Sequence, residues 1–117
     1  MKTLFEKYSV VPVLTFKDSE GCDAATTAIA TAKDLVAKGY PLMEVTLRTE
    51  EAWSAIEAIQ VEVPEAIVGI GTVTKSKQLK QGNNLGVRFA VSPGLDAHLV
   101  RTAQDLDLFY LPGVATP

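Results

Sequence analysis

Five short apolar runs recur along the chain, and a stretch with helical periodicity separates each run from the next. Counted from residues 11, 42, 67, 89 and 109, the runs begin 31, 25, 22 and 20 residues apart. Runs that are rich in Val and Ile, or nearly continuous in apolar residues, are typical of strands covered on both faces. We therefore predict five strands, at residues 10–16, 42–47, 67–72, 89–92 and 109–114.

Four helices are predicted in the intervals between the strands. Apolar residues three or four positions apart form one face of a helix, and Gly39 is placed to end the first of them. Thr49 can act as the N-cap of the second helix. The third helix spans residues 74–81 and the fourth spans residues 96–104. Regular alternation of strands and helices predicts a parallel sheet with right-handed crossovers.

Two architectures fit this alternation. The first is an open, doubly wound sheet of five strands, which the length of 117 residues slightly favours. The second is a portion of an α/β TIM barrel, the (β/α)8 fold. Eight units of this size would need roughly 200 residues, which is the size of a small barrel. In the second interpretation the chain covers about the first five strands and four helices.

Composition and charge exclude several classes of protein. A net charge of −3 argues against a nucleic-acid-binding surface, and no apolar stretch is long enough to span a bilayer. The first eight residues lack the apolar core of a secretory signal. The single cysteine, Cys22, cannot form an internal disulfide. These features predict a cytoplasmic chain of one domain's length that binds neither nucleic acid nor membrane.

The second predicted strand carries a polar face. Alternate residues of a strand point to opposite sides, so Glu44, Thr46 and Arg48 share one face, and the residues between them are apolar. A central parallel strand has no solvent face, and an unpaired buried charge is strongly unfavourable. In a barrel, this face instead lines the interior near the carboxyl-end mouth, where barrel active sites lie. The pattern favours the barrel; the alternative is an edge strand with one solvated face.

Small and turn-forming residues end the other strands. Gly69 and Gly71 each weaken a strand by about 0.5–1 kcal/mol relative to alanine, so they predict the close approach of a neighbour or ligand. Thr72 follows them, and Pro93 lies in the Ser-Pro-Gly sequence that ends the fourth strand. Pro-Gly pairs are also ordinary turn chemistry. Their position at the strand ends, where a barrel's site would lie, is what suggests a function.

Seven stretches carry, in order, a resemblance to a known family. With them the chain resembles the 2-keto-3-deoxy-6-phosphogluconate and 4-hydroxy-2-oxoglutarate aldolases. The resemblance implies a (β/α)8 barrel of the pyruvate-lyase kind, of which residues 1–117 would be the N-terminal portion of a single domain. The stretches are Val-Val-Pro-Val at 10–13, Leu-Val-Ala-Lys-Gly at 35–39, Glu-Val-Thr-Leu-Arg-Thr at 44–49, Val-Pro-Glu-Ala-Ile-Val-Gly at 63–69, Gly-Thr-Val at 71–73, Phe-Ala-Val-Ser-Pro-Gly at 89–94 and Leu-Pro-Gly-Val-Ala-Thr-Pro at 111–117.

The resemblance also implies class I aldolase chemistry. In that chemistry a lysine amine forms a Schiff base with a pyruvyl carbonyl, and no metal or other cofactor is needed. The implied reaction is the reversible cleavage of a 2-keto-3-deoxy sugar acid phosphate to pyruvate and an aldehyde. By the same resemblance Glu44 is the catalytic acid and base, Arg48 and Thr72 hold the pyruvyl carboxylate, and Pro93 forms part of the pocket wall. Family members form homotrimers, so a homo-oligomer is expected.

The Schiff-base lysine has no counterpart in these residues. In the family it belongs to a sixth strand, and none of the lysines here stands in a matching segment. We therefore expect the 117-residue chain on its own to be inactive. Lys17, near the end of the first strand, is the one lysine that the pattern places near the mouth. Two alternatives to an aldolase stay open: a non-catalytic barrel fragment that needs a partner chain, and an open, flavodoxin-like binding domain.

Overall fold

A computed structural model describes residues 2–8 and 10–112 as five parallel strands and five helices. No helix in these two stretches is both long and apolar enough to cross a membrane. The strands are β1 (Val13–Leu14), β2 (Leu42–Thr46), β3 (Ile67–Gly71), β4 (Phe89–Ser92) and β5 (Phe109–Pro112). The helices are α1 (Lys2–Lys7), α2 (Ala24–Ala37), α3 (Ala52–Glu62), α4 (Ser76–Asn84) and α5 (Ala97–Asp105).

The strands form one sheet in the order β1-β2-β3-β4-β5, and every neighbouring pair is parallel. A flavodoxin-like sheet has the order 2-1-3-4-5. The sequential order therefore excludes that alternative and confirms the prediction of a barrel wall built one strand after another. Each strand is joined to the next by a helix, as in the repeating unit of a (β/α)8 barrel.

The structure departs most from the prediction at the first strand and the first helix. The first strand was expected over residues 10–16 but pairs with β2 only over Val13–Leu14. Helix α1, the first in chain order, was not predicted, so the four expected helices are α2 to α5. The predicted end of the fifth strand, residues 113–114, lies outside the described residues.

The register places two different sets of side chains on the two faces of the sheet. Residues paired across parallel strands point to the same side. Glu44 pairs with Val13 and Gly69, and Gly69 pairs with Phe89, so these four share the face that helices α2 to α5 leave uncovered. The opposite face packs against those helices as the apolar core, through Met43, Val45, Val68, Ile70 and Ala90.

The short helix α1 lies across the amino ends of two strands. The Phe5 ring meets the Phe89 ring edge-on, with centroids 5.1 Å apart and planes at 81°. It stacks on the Phe109 ring at 5.4 Å and 26°. Phe89 and Phe109 are the first residues of β4 and β5 and are paired with each other. Helix α1 therefore covers the uncovered face at its amino end and leaves the carboxyl end of the strands open.

Thr49 does not cap the second predicted helix, and that prediction is wrong. Helix α3 begins at Ala52, its N-cap position is Glu51, and no side chain caps it. The Thr49 hydroxyl instead donates a hydrogen bond to the backbone carbonyl of Phe16. That carbonyl follows β1, so Thr49 joins the segments that leave the carboxyl ends of β1 and β2.

Candidate functional site

Glu44 stands at the centre of β2 on the face that carries no helix. Its side chain is half-buried, and its carboxyl group lies against the backbone of Gly71 on β3. A Cβ atom at residue 71 would lie 2.6 Å from Cδ of Glu44 and 2.9 Å from its Cγ, closer than such atoms approach in proteins. The sequence predicted a close approach at this glycine, and the structure identifies the neighbour as the carboxyl group of Glu44.

Burial raises the pKa of the Glu44 carboxyl above its ordinary value. Removal from water disfavours the ionised form, and no charged neighbour or hydrogen bond among the described residues contributes to the shift. A carboxyl whose pKa moves toward neutrality is better suited both to accept and to return a proton. The fold thus gives Glu44 an acidity suited to proton transfer.

Thr46 and Thr15 lie on the same face as Glu44, closer to the carboxyl ends of their strands. Their hydroxyl oxygens are 2.7 Å apart and form a hydrogen bond between β2 and the residue that follows β1. Thr46 is buried, and its pairing partner on β3 is Gly71. The hydroxyl pair therefore lies beside the position that the Glu44 carboxyl occupies and aligns the first two strands there.

Thr72 follows β3 with an unusual backbone conformation. Its φ is 61°, in the left-handed region that a β-branched residue rarely adopts. Such a residue costs of order 1–3 kcal/mol and persists where the surrounding structure or a function demands it. The half-buried Thr72 directly follows Gly71, so this strained residue adjoins the backbone on which the Glu44 carboxyl rests.

Arg48 and Pro93 are both exposed, in the segments that follow β2 and β4. The turn that carries Pro93 is held by Ser92, whose hydroxyl donates to the carbonyl of Gly94 at 2.6 Å. The same hydroxyl accepts a hydrogen bond from the Gly94 amide at 3.3 Å. Ser92 was expected only as part of a turn signal, and this double contact, which fixes the path of the chain around Pro93, was not predicted.

The structure therefore brings the four predicted site residues to one edge of the sheet. Glu44 lies within β2, and Arg48, Thr72 and Pro93 lie just after β2, β3 and β4. The carboxyl ends of parallel strands meet at the same edge, which in a barrel is the edge of the active site. Lys17, by contrast, is an exposed residue of the loop after β1, and none of the described strands contains a lysine.

A cleft of about 840 Å³ runs beside α5 and β5 and is lined by residues such as Val100, Gln104 and Tyr110. It contains none of the four predicted site residues, so volume alone does not mark the site. Residues 2–8 and 10–112 also contain no group of three or more His, Cys, Asp or Glu side chains placed to hold a metal ion.

Comparison with known proteins identifies the relatives of this chain. A family model described as "KDPG and KHG aldolase" matches residues 1–117. The 2-dehydro-3-deoxy-phosphogluconate aldolase of Pseudoalteromonas atlantica is 42% identical over 113 residues, which are 97% of this chain and 50% of that protein. The KHG/KDPG aldolase of Escherichia coli K12 is 47% identical over 107 residues, 92% of this chain and 47% of that protein.

Solved structures give the same result. The 2-keto-3-deoxy-6-phosphogluconate aldolase of Zymomonas mobilis ZM4, crystallised with 3-phosphoglycerate, superposes with a TM-score of 0.87 at 40% identity and covers 99% of this chain. The KDPG aldolase of Legionella pneumophila, with pyruvate captured as a covalent carbinolamine, gives 0.79 at 35% identity over 91% of this chain. The chain spans about half the length of these proteins, 52% and 48% respectively. It belongs to the KDPG and KHG aldolase family.

Proposed function

We propose that the protein is a class I aldolase that reversibly cleaves a 2-keto-3-deoxy sugar acid phosphate to pyruvate and an aldehyde. Residues 1–117 would then be the N-terminal portion of a single (β/α)8 barrel domain. The observation that carries the proposal is the Glu44 carboxyl, half-buried on the uncovered face with its pKa raised by burial. The pyruvate adduct captured in the Legionella pneumophila relative supports the choice of substrate.

The proposed reaction begins at the keto carbon of the substrate. A lysine amine from outside the described residues adds to this carbon, and loss of water leaves a protonated imine. The bond between carbons 3 and 4 then breaks as the hydroxyl on carbon 4 gives up its proton, and the aldehyde departs. The bonding electrons move into the imine and form an enamine. Protonation of carbon 3 and addition of water release pyruvate and restore the amine.

Glu44 would move the protons of these steps. Ionised, its carboxylate accepts the proton that a departing hydroxyl loses; protonated, it returns a proton to the enamine carbon. Both steps need a carboxyl that changes ionisation easily in a site with little water. The half-buried position against Gly71 and the raised pKa of Glu44 meet that requirement. Carboxylate catalysts of this kind contribute rate factors of about 100 to 10,000.

Arg48, Thr72 and Pro93 would form the pocket for the pyruvyl part of the substrate. The guanidinium of Arg48 can grip a carboxylate through two parallel hydrogen bonds. The Thr72 hydroxyl would add a third donor from the neighbouring strand end, and Pro93 would close the wall from β4. Retention of strain at Thr72 supports a role for its side chain, because an unstrained residue would otherwise be favoured there.

Borohydride trapping tests the proposal in the intact protein, meaning this chain with whatever residues adjoin it in the native polypeptide. Incubation with pyruvate and borohydride should add one pyruvyl group to one lysine, read by mass spectrometry. Glu44→Gln should still be labelled but should lose aldol cleavage by about 100-fold or more. Glu57→Gln, on the exposed face of α3, is the matched control and should keep full activity. Absence of labelling in the intact wild type would refute the aldolase proposal.

The carboxylate-binding role of Arg48 has a separate signature. Loss of a charge-assisted hydrogen bond removes roughly 1.5–3 kcal/mol of binding, so Arg48→Ala should raise KM by about 10- to 100-fold. Because this contact forms in the ground state as well as the transition state, kcat should change much less. Arg101→Ala, on the exposed side of α5, should leave both constants unchanged. A loss confined to kcat would assign Arg48 a different role.

The 117-residue chain provides an internal test of where the amine comes from. Its described strands contain no lysine, so we expect no labelling and no cleavage from this chain alone. Stoichiometric labelling at Lys17 would instead make that loop lysine the nucleophile. Restoration of activity on adding a second polypeptide would favour the alternative of a barrel fragment that works with a partner chain.

The proposal also includes a homotrimeric assembly and a cytoplasmic location. Cell fractionation tests the location.

A further inference from the structure

The contact between Glu44 and Gly71 crosses two levels of the sheet. Glu44 pairs with Gly69, whereas Gly71 pairs with Thr46, two residues nearer the carboxyl end. The Glu44 side chain therefore extends along the sheet, and its carboxyl group reaches the level of Thr46 and Gly71. There it occupies the space that a side chain at residue 71 would fill, a space we call the Gly71 slot.

The two glycines of β3 make room for different groups. A Cβ atom at Gly69 would collide with the Phe89 ring, which is fully buried and packs against Phe5. The three atoms nearest to a Cβ atom at Gly71 would all belong to Glu44: Oε2, Cδ and Cγ. Gly69 thus accommodates part of the apolar packing, whereas Gly71 accommodates a titratable group. The distinction matters because a ring in a packed core cannot move aside, but the end of a glutamate can.

Packing, and not bonding, holds the Glu44 carboxyl in this slot. Among the described residues, no hydrogen bond and no charged group contributes to its altered acidity, and burial is the single cause. The slot is bounded by the β3 backbone and lies beside the buried Thr46 hydroxyl, which is engaged with Thr15. With no bonded partner to fix it, the carboxyl would leave this position if the space at residue 71 were filled.

We propose that Gly71 is a positioning residue for Glu44, and that its missing side chain is what seats the carboxyl beside Thr72 at the carboxyl edge of the sheet. The catalytic consequence rests on the function proposed above, but the positional claim does not. To reach ordinary contact at 3.4 Å, Cδ of Glu44 would have to move by about 0.8 Å from its 2.6 Å separation. Misplacement of a catalytic group by about 1 Å can cost on the order of 100-fold in rate.

The test is Gly71→Ala in the intact protein, with two readouts. Carbon-13 NMR of the labelled Glu44 carboxyl, assigned through Glu44→Gln, should show its pKa return toward the ordinary value as the displaced group gains water. Turnover should fall by about 100-fold, while borohydride trapping with pyruvate continues, since the amine is untouched. Gly82→Ala is the matched control: its Cβ atom would lie 2.8 Å from Cδ1 of Ile70 on the helix-covered face, the face of the sheet opposite to Glu44. It should change neither the Glu44 titration nor kcat.

A second variant covers the case in which Gly71→Ala does not fold. Glu44→Asp shortens the side chain by one methylene, so the carboxyl stops short of the slot. In the Glu44→Asp background Gly71→Ala should therefore fold, and its turnover should be little below that of Glu44→Asp alone. Failure of the double variant to fold, or an unchanged Glu44 titration in Gly71→Ala, would overturn the inference. Suppose instead that the Glu44 pKa falls as expected in Gly71→Ala but the wild type shows no aldol cleavage. That result would count against the proposed function and leave the positional claim standing.

Discussion

The half-buried Glu44 carboxyl makes part of the stability of this fold depend on pH. Because burial raises the pKa of Glu44 in the folded state, the folded chain binds more protons than the unfolded chain between the ordinary and the raised value. The stabilisation is fully present below the ordinary glutamate pKa. It is lost as pH rises through the raised one, so the free energy of unfolding falls across that window.

We expect Glu44→Gln to remove this component of the pH dependence. The amide cannot ionise, so the variant should gain stability relative to the wild type as pH rises through the window. Urea unfolding at a series of pH values measures the difference between the two curves. Glu57→Gln, exposed on α3, should run parallel to the wild type. If the curve for Glu44→Gln also runs parallel to that of the wild type, burial does not raise the pKa of the Glu44 carboxyl.

Thr72 keeps its side chain although its backbone conformation is strained. We expect Thr72→Gly to raise the free energy of unfolding by about 1 kcal/mol, because relief of the φ of 61° outweighs the entropy that glycine adds to the unfolded chain. The same variant should bind pyruvate more weakly. Thr74→Gly, exposed and with an ordinary φ, should instead lose stability. Equal losses in both variants would show that Thr72 is not strained.

At the scale of elements, helix α1 precedes β1 and lies outside the alternation of strands and helices. It has six residues, too few to be stable as an isolated helix, so tertiary contacts must hold it in place. Those contacts are the two aromatic pairs that Phe5 makes with the first residues of β4 and β5. Helix α1 is therefore expected to fold only when the sheet is already formed.

Phe5→Ala should lower the free energy of unfolding by about 2 kcal/mol. Complete burial of a phenylalanine is worth about 3–5 kcal/mol on truncation, and Phe5 is only half-buried. Phe5→Leu should recover part of the loss, since it keeps most of the apolar contact. Glu6→Ala, on the exposed side of the same helix, is the control. If chemical denaturation finds Phe5→Ala no less stable than Glu6→Ala, α1 does not secure the amino end of the sheet.

At the scale of the whole molecule, the sheet leaves some apolar side chains exposed and one buried hydroxyl without a partner among the described residues. Val13, on the uncovered face of β1, is 62% exposed, and Leu95, after β4, is 73% exposed. On β5, the Tyr110 hydroxyl is buried without a hydrogen-bond partner among the described residues. Exposed apolar groups and open strand edges promote association.

The 117-residue chain on its own is therefore expected to self-associate, and the intact protein to form a homotrimer. Multi-angle light scattering across a range of concentrations distinguishes these states. The mass of the short chain should rise with concentration, whereas that of the intact protein should stay at three subunits. A monodisperse monomer of the short chain would show that the exposed edges are tolerated in solution.

Local patterns in the sequence were enough to predict most of the strands and helices. They also predicted which residues lie at the carboxyl edge of the sheet. The period of two in β2 was enough to assign Glu44, Thr46 and Arg48 to one side, because side-chain direction in a strand depends only on position along it. The same pattern, with the strand–helix alternation, favoured a barrel wall. The family resemblance then supplied the roles proposed for Glu44, Arg48, Thr72 and Pro93.

Only the tertiary structure decided which groups meet. Three features join residues that are far apart in the chain. They are the order of the strands, the hydrogen bond from Thr49 to the Phe16 carbonyl, and the packing of Phe5 against Phe89. Sequence could mark Gly71 as a point of close approach, but not name Glu44 as the neighbour, since that depends on the register between β2 and β3. Periodicity is a property of one segment, whereas register and contact are properties of two, and they arise only when the sheet is assembled.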